Sequence, residues 1–349
     1  MKIKISDKLI GENEKVFIIA EIGVNHNNDM DMAKEMIDKA KKAGADAVKF
    51  QTFKTENIIL KTAPKAEYQI KTTGEEGSWF DLLKTEELSY ENHKMLLEYC
   101  QQKGIIFLST PYDEDSADFL EKLKVPAYKI ASTDTNNIPF LRHVANTGKP
   151  ILLSTGMSNL EEVAESVEAI RKTGNEKIIL LHCTSNYPAK IEESNLRVLN
   201  TLKEIFKVLV GYSDHSQGNT VGLSSIALGA TVYERHFTLD RNLPGPDHQA
   251  SIEPKELAGL INEIRLVEKA LGSDDKRPTE GEHETRKKLR KSIVTLKNIS
   301  INTKITMDMI GIKRPGTGLE PKYFDQVIGK VAKVDIPQET LIKKEDIEW

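Results

Sequence analysis

Three ionisable residues, Glu234, Arg235 and His236, stand in a row inside TVYERHFT (231–238), a run whose other residues favour a β-strand. Charged groups in a core strand destabilise it unless they are paired. Because side chains alternate along a strand, Glu234 and His236 face one side and Arg235 faces the other. We therefore predict that His236 enters a functional site, that Glu234 points the same way one pleat deeper, and that Arg235 meets the helix layer or a loop carboxylate.

The elements that position these residues follow from the pattern of the chain. Short apolar runs alternate with amphipathic stretches, of which 30–44, 159–174 and 254–272 end on glycine, a helix C-cap signal. Eight strand–helix units predict a parallel sheet covered on its outer face. The strands are predicted at 17–23, 47–53, 104–111, 127–132, 150–156, 177–185, 208–214 and 231–238.

We predict that these units close into an α/β fold of the (β/α)8 TIM-barrel type. A barrel of this type usually has about 250 residues, which matches 16–272. A doubly wound open sheet is the alternative, but no G-x-G-x-x-G follows the first strand. The predicted domains are a barrel at 1–272, a charged linker at 273–291 and a small β-rich module at 292–349.

The small module carries a faint internal repeat. The spacing Ile299-x3-Thr303-x-Ile305-x4-Ile310 recurs as Ile336-x3-Thr340-x-Ile342-x4-Ile347. About 60 residues bury little core, so we expect the module to dock on another surface.

In a (β/α)8 barrel the functional site lies at the carboxyl ends of the strands. Lys49 and Lys129 fall at inward-facing strand ends and predict an anion site for a phosphate or carboxylate. A structural pairing with a barrel carboxylate is the alternative for either lysine alone. The serines expected beside them are Ser132, Ser154, Ser185 and Ser213.

His215 and His236 end neighbouring strands, and two facing imidazoles suit a divalent transition metal with open positions. The alternative is that one of them is a hydrogen-bonded structural histidine. Asp134 or a substrate oxygen could complete the shell. Glu21 is a candidate general base, or else a carboxylate that only orients Lys49.

The bulk composition excludes several classes of function. The formal net charge of -4 provides no electrostatic case for nucleic acid or an anionic membrane. Two cysteines far apart exclude a disulfide framework and fit a reducing compartment. The start of the chain lacks a signal peptide, and no apolar run reaches the 18–20 or so residues of a membrane span. A cytoplasmic location is the expectation.

A series of short polar motifs follows the predicted strands. They include AEIGVNHN (20–27), VKFQTF (48–53), FLSTP (107–111), LSTGM (153–157), LHCTSNYP (181–188), GYSDHS (211–216), ERHFTLD (234–240) and GPDHQASIEP (245–254). By these motifs the chain resembles the sialic acid synthase family over nearly its whole length and in the same order. The C-terminal IKRPGTG (312–318) is similar to the antifreeze-like (SAF) domain that these enzymes carry.

The resemblance implies that phosphoenolpyruvate condenses with an N-acetylhexosamine and that phosphate leaves by C–O cleavage. It implies manganese on His215 and His236, with Mg²⁺ or Co²⁺ as alternatives, and Glu21 as the acid–base group. It also implies a domain-swapped homodimer in which Arg314 reaches the partner subunit's site. The phosphoenolpyruvate positions carried across are Lys49, Lys129, Ser132, Ser154 and Ser213, and the sugar positions are Gln51, Tyr187 and Asp247.

Two positions depart from the family pattern. Some members have Asn where this chain has Ser185, and many have Glu, holding the metal through water, at the position of Asp134. The shorter aspartate would move that contact. We expect Asp134 to take part in catalysis and Ser185 to contact phosphoenolpyruvate.

The predicted reaction is that of an N-acetylneuraminate synthase acting on N-acetylmannosamine. The alternative is N,N'-diacetyllegionaminate synthase, because APKAEYQIKTT (63–73) also resembles enzymes that use a 2,4-diacetamido-2,4,6-trideoxy-mannose. Pseudaminate and spore-coat relatives are further candidates. Two other classes are a Schiff-base aldolase acting through Lys49 or Lys129, and an ice- or glycan-binding module on an inactive barrel.

Overall fold

Eight parallel strands form the barrel that the alternating pattern predicts, within a computed structural model that describes residues 1–65 and 78–349. A two-stranded hairpin, β1 (Lys2–Ile5) and β2 (Lys8–Gly11), precedes them. The barrel strands are β3 (Phe17–Gly23), β4 (Ala47–Thr52), β5 (Ile106–Pro111), β6 (Tyr128–Ile130), β7 (Ile151–Ser154), β8 (Ile178–His182), β9 (Leu209–Asp214) and β10 (Val232–His236).

The order of the strands shows how the sheet curls into a barrel. Hydrogen bonds run in the order β5-β4-β3-β10-β9-β8-β7-β6, and every pair is parallel. The first and last strands of that order, β5 and β6, contact each other, so the sheet is nearly closed. The predicted (β/α)8 fold is confirmed.

Helices cover the outside of the barrel. In α1, Asp29 accepts backbone hydrogen bonds at the N-cap and Gly44 ends the helix at φ 99°, as its sequence predicts. The α-helices described within residues 1–272 are α1 (Met30–Ala43), α2 (Thr55–Ile58), α3 (Trp79–Glu86), α4 (Tyr90–Lys103), α5 (Glu114–Lys122), α6 (Ile138–Ala145), α7 (Leu160–Arg171), α8 (Val198–Phe206), α9 (Thr220–Ala227) and α10 (Pro254–Leu271).

The barrel interior has an apolar floor and a polar layer above it. On β3, Ile19 packs in the floor and Glu21, two residues on, lies in the polar layer; Ala47 and Lys49 do the same on β4. A two-residue step keeps the same face of a strand. The hairpin, which the sequence analysis did not predict, adds Ile3, Ile5 and Ile10 to the floor and seals it.

The second unit, residues 273–349, is described by itself. A helix, α11 (Glu282–Leu289), lies within the segment predicted to be a linker. Beyond it, β11 (Ser292–Thr295) and β12 (Ile310–Lys313) pair antiparallel, followed by a short helix, α12 (Phe324–Val327). The isoleucines of the internal repeat, Ile299, Ile305, Ile310, Ile336, Ile342 and Ile347, all lie in its core.

Within the described ranges, no helix combines the length and apolar character needed to cross a membrane. Most of the 63–73 segment, residues 66–73, lies outside those ranges.

Candidate functional site

A chain of buried ion pairs crosses the polar layer of the barrel. Lys49 Nζ lies 2.7 Å from Glu21 Oε2 and 3.9 Å from Glu234 Oε2, and Lys129 Nζ lies 3.5 Å from Glu234 Oε1. The four side chains are at most 5% exposed. Two cations and two anions therefore balance inside a space where an unpaired charge would be strongly destabilising.

The two carboxylates of this cluster differ in proton affinity. Burial, which Lys49 only partly offsets, raises the pKa of Glu21 to about 7. Burial also opposes the ionisation of Glu234, but the charges of Lys129 and Lys49 outweigh it and lower that pKa. Glu21 is therefore suited to exchange a proton near neutral pH, whereas Glu234 remains a carboxylate.

We call Glu21, Lys49, Glu234 and Lys129 the lysine cluster. Thr110, which was not predicted from the sequence, contacts it. Lys49 Nζ donates a hydrogen bond of 2.9 Å to Thr110 Oγ1, at the end of β5. Thr110 lies in FLSTP at the C-terminal end of a barrel strand, and this position could have predicted it as a site residue. Burial lowers the pKa of Lys129, whose Nζ donates to the carbonyl of Ile130 at 3.3 Å.

Two of the predicted serines meet around a glycine. The Gly156 N–H donates to Ser132 Oγ at 3.0 Å, and Ser132 Oγ lies 3.2 Å from Cys183 Sγ. A methyl group on Gly156 would lie 2.3 Å from Ser185 Oγ and 2.8 Å from Ser132 Oγ. We name Ser132, Gly156 and Ser185 the cradle; the Gly156 N–H orients the Ser132 hydroxyl, and the two serine hydroxyls are donors that an anion requires.

The other two predicted serines have different surroundings. Ser213 Oγ donates to Glu234 Oε1 at 3.0 Å and lies 3.5 Å from His215 Nε2, so it joins the lysine cluster to the histidines. Ser154 is buried at the end of β7, and its carbonyl accepts a 2.7 Å hydrogen bond from Thr135 Oγ1.

The two predicted metal-binding histidines lie side by side. Their ring centroids are 5.5 Å apart. The Nδ1 of His215 donates to the Thr184 carbonyl at 2.7 Å, so Nε2 is the ring nitrogen that carries the lone pair. His236 Nδ1 is buried and has no hydrogen-bond partner. Burial lowers the pKa of both imidazoles, so both are neutral near pH 7, the form that binds metal.

This donor set fits a divalent transition ion held by two imidazoles. No third His, Cys, Asp or Glu completes a ligand group within residues 1–65 and 78–349. The predicted contribution of Asp134 is therefore not through such a group. Its carboxylate accepts hydrogen bonds from Asn137 Nδ2 at 3.0 Å and Thr133 Oγ1 at 3.2 Å.

The residues predicted to line a sugar lie beside the histidines. Tyr187 packs 4.2 Å from the His215 ring and 5.5 Å from the His236 ring, between centroids. Asp247 Oδ2 lies 3.7 Å from His236 Nδ1, and burial raises the pKa of Asp247 to about 6. Gln51 Nε2 donates to Glu21 Oε1 at 3.5 Å.

Arg235 and Arg314 both donate hydrogen bonds to backbone carbonyls. Arg235 turns away from the barrel interior, as alternation predicts, and donates to the carbonyls of Gly218 at 2.7 Å and Ser216 at 2.6 Å. The carboxylate nearby is Asp214 Oδ2, 3.8 Å from Arg235 Nη1, and it belongs to strand β9 and not to a loop. Arg314 belongs to the second unit, where it is exposed and donates from Nε to the Leu289 carbonyl at 3.1 Å.

Comparisons with known proteins give consistent matches. The NeuB family model matches residues 36–276, and the SAF domain model matches 290–348. The chain is 42% identical to N,N'-diacetyllegionaminic acid synthase of Legionella pneumophila, over 97% of this chain and 96% of the relative. It is 38% identical to mouse N-acetylneuraminate-9-phosphate synthase, over 97% and 94%.

One solved structure supports the same grouping. The N-acetylneuraminic acid synthetase of Leptospira borgpetersenii, in complex with citrate, superposes with a TM-score of 0.73 at 36% sequence identity. The match covers 82% of this chain and 95% of that structure.

The cradle geometry yields a test that requires no assay of turnover. Gly156→Ala places a methyl group against both serine hydroxyls, so we expect inorganic phosphate to bind about tenfold more weakly or not at all. Titration calorimetry measures the effect. Gly259→Ala on α10 is the control, because a methyl group there meets no atom within 4 Å. Equal phosphate affinity in both variants would show that the cradle binds no anion.

Proposed function

Because this chain belongs to the NeuB family, we propose that it condenses phosphoenolpyruvate with the open-chain aldehyde of an N-acetylated hexosamine and releases phosphate. The observation that carries the proposal is the lysine cluster, which lies in the same barrel mouth as the cradle and two neutral imidazoles. These are the groups that an anionic enol ester and an aldehyde require.

Phosphoenolpyruvate brings a carboxylate and a phosphate, and the site offers charges and donors for both. Lys49 and Lys129 supply two buried positive charges, and the cradle supplies donors for phosphate oxygens. Charge-assisted hydrogen bonds in a dry site are strong because water does not compete for them. We assign the phosphate to the cradle, with Ser154 and Ser213 as further donors.

The bond changes can be written with all atoms accounted for. C3 of phosphoenolpyruvate attacks the aldehyde carbon, and the aldehyde oxygen takes up a proton to become a hydroxyl. Water adds at C2, where positive character has developed, and Glu21 receives its proton. The C2–O bond to phosphate then breaks, and the proton of the new C2 hydroxyl passes to the departing phosphate, which leaves a ketone and free phosphate. Lys49 and Lys129 balance the charge on the departing group.

His215 and His236 are the residues that would hold a divalent ion, Mn²⁺ by the sequence resemblance. When bound, such an ion supplies Lewis-acid polarisation to the aldehyde oxygen. The carbonyl of Thr184 fixes the ring orientation and tautomer of His215 for this purpose. With only two imidazoles from the described chain, the ion would exchange readily.

Two acceptor sugars fit the proposal. The motifs of the sequence favour N-acetylmannosamine, and the mouse relative, 38% identical, is an N-acetylneuraminate-9-phosphate synthase. Diacetyllegionaminic acid synthases from Legionella pneumophila and Campylobacter jejuni are each 42% identical over at least 95% of this chain. We propose the 2,4-diacetamido-2,4,6-trideoxy-mannose as the better acceptor and N-acetylmannosamine as the second candidate.

Phosphate release measured with phosphoenolpyruvate and each sugar distinguishes these candidates. We expect kcat/KM to be about tenfold or more higher for the diacetamido sugar, because one matched polar contact is worth that much discrimination. The opposite order would restore N-acetylmannosamine as the substrate. Borohydride trapping of pyruvate on Lys49 or Lys129, with no phosphate released, would instead establish a Schiff-base aldolase.

Metal dependence is the second test of the reaction. EDTA should abolish phosphate release and Mn²⁺ should restore it, since the aldehyde needs polarisation. His215→Ala and His236→Ala should each weaken Mn²⁺ binding, followed by electron paramagnetic resonance, by about tenfold or more. His143→Ala, on the partly exposed surface of α6, is the control. Full activity of the EDTA-treated enzyme would contradict the proposed role of the histidines.

Arg314 is proposed to serve the active site of a second copy of the chain in a homodimer. Its side chain is exposed in its own unit, so its guanidinium is available to a ligand. Co-expressed, separately tagged Arg314→Ala and Lys49→Ala chains give a heterodimer with one intact site, so about half of wild-type activity should return. If Arg314 serves its own chain, no intact site forms and activity stays absent.

A further inference from the structure

Glu86, the last residue of α3, was not selected from the sequence. Both of its neighbours are tied to the barrel mouth. The Thr85 carbonyl accepts a hydrogen bond from Asn28 in the loop after β3. Glu87 accepts hydrogen bonds from Lys54 Nζ at 2.8 Å and from the Thr55 N–H at 3.1 Å, after β4. Glu86 is therefore held in a defined position between two anchored residues.

Glu86 is half-buried, and one oxygen of its carboxyl group is buried without a hydrogen-bond partner in the described chain. Its Oε1 is inaccessible to solvent and has no hydrogen-bond partner in the described chain. Burial, with added repulsion from Asp247, raises the pKa of Glu86 to about 8. A buried polar atom with no partner destabilises the free protein, so a ligand that supplies one gains affinity.

A second unsatisfied group lies beside Asp247. His236 Nδ1, in a side chain 10% exposed, has no hydrogen-bond partner in the described chain and lies 3.7 Å from Asp247 Oδ2. The Pro244 carbonyl, in the loop that carries Asp247, accepts a 3.0 Å hydrogen bond from Asn27 Nδ2, and the adjacent Asn28 donates to Thr85. The loop after β3 therefore contacts both the loop that carries Asp247 and the end of α3 that carries Glu86.

The chemistry of these groups restricts what can bind to them. Glu86, Asp247 and His236 do not form a three-residue metal group, since the described chain contains none. The carboxylate of Asp247 and the unpartnered oxygen of Glu86 accept hydrogen bonds, so the occupant must donate them. Hydroxyl and acetamido N–H groups of an aldose do so without carrying charge. Because His236 belongs to the proposed aldehyde site, we assign Glu86 to a group of the sugar remote from the aldehyde.

We propose that Glu86 is a specificity-determining residue for the acceptor, whose carboxyl Oε1 accepts a hydrogen bond from a hydroxyl or acetamido N–H remote from the aldehyde. This inference rests on the proposed function, because the ligand is the sugar of that reaction. It adds to the predicted sugar contacts a residue of α3, an element outside the strand ends.

The test compares Glu86→Leu and Glu86→Gln with the wild type, using the better of the two acceptors. We expect KM for the acceptor to rise about tenfold in Glu86→Leu and less in Glu86→Gln, while KM for phosphoenolpyruvate changes less than about twofold. Glu98→Gln, at an exposed position of α4, should leave every constant unchanged. Equal changes in both KM values, or none, would overturn the proposal.

Acceptor analogues separate direct contact from a structural role. With N-acetylmannosamine lacking its 4- or 6-hydroxyl, the penalty of Glu86→Leu should fall below about twofold for the analogue whose contacted group is missing. The same penalty for every analogue would show that Glu86 makes no sugar contact. Calorimetric Kd values for the same sugars distinguish failure of the proposed reaction from failure of the Glu86 proposal. If the wild type binds a sugar without turnover, the proposed reaction is wrong, and the Kd values of the variants still test the contact of Glu86. If the wild type binds no sugar, both proposals are wrong.

Discussion

The buried chain Glu21–Lys49–Glu234–Lys129 is the interaction on which the site depends. Each charge is stable inside the barrel only because an opposite charge lies within 4 Å. The balance between burial and charge pairing also sets the pKa values of the two carboxyl groups. Burial and Lys49 act in opposite directions on Glu21, while two lysines keep Glu234 ionised. One carboxylate is thereby available for proton transfer, and the other maintains the charge of the lysines for an anionic ligand.

The apolar floor supports this cluster from below. Ile3, Ile5 and Ile10 of the hairpin close the floor against inward side chains of the barrel strands, so the ion pairs lie above a dry surface. Electrostatic interactions strengthen where water is excluded. Around the opposite end, loops after several strands carry the cradle, the two histidines and Asp247. The barrel thus keeps the buried ion pairs dry on the floor side and places the ligand-binding groups at its open end.

The barrel and much of the site could be predicted from the sequence because both follow from short-range patterns. Apolar runs marked all eight strands, and their C-terminal polar residues marked Lys49, Lys129, His215 and His236. Features that arise from tertiary approach could not be found this way. Gly156 matters because Ser132 and Ser185, from two other loops, meet its backbone. Helix α11 has a charged sequence with no apolar face, so its segment was predicted to be a linker.

The two-residue step from floor to polar layer also limits how this chain can vary in evolution. On β3, β4 and β10, an apolar floor residue is followed two positions later by Glu21, Lys49 or Glu234. One inserted or deleted residue between them would turn the charged side chain into the helix layer and an apolar one into the mouth. We therefore expect changes of length in the loops beyond the strands and none between the floor and the polar layer.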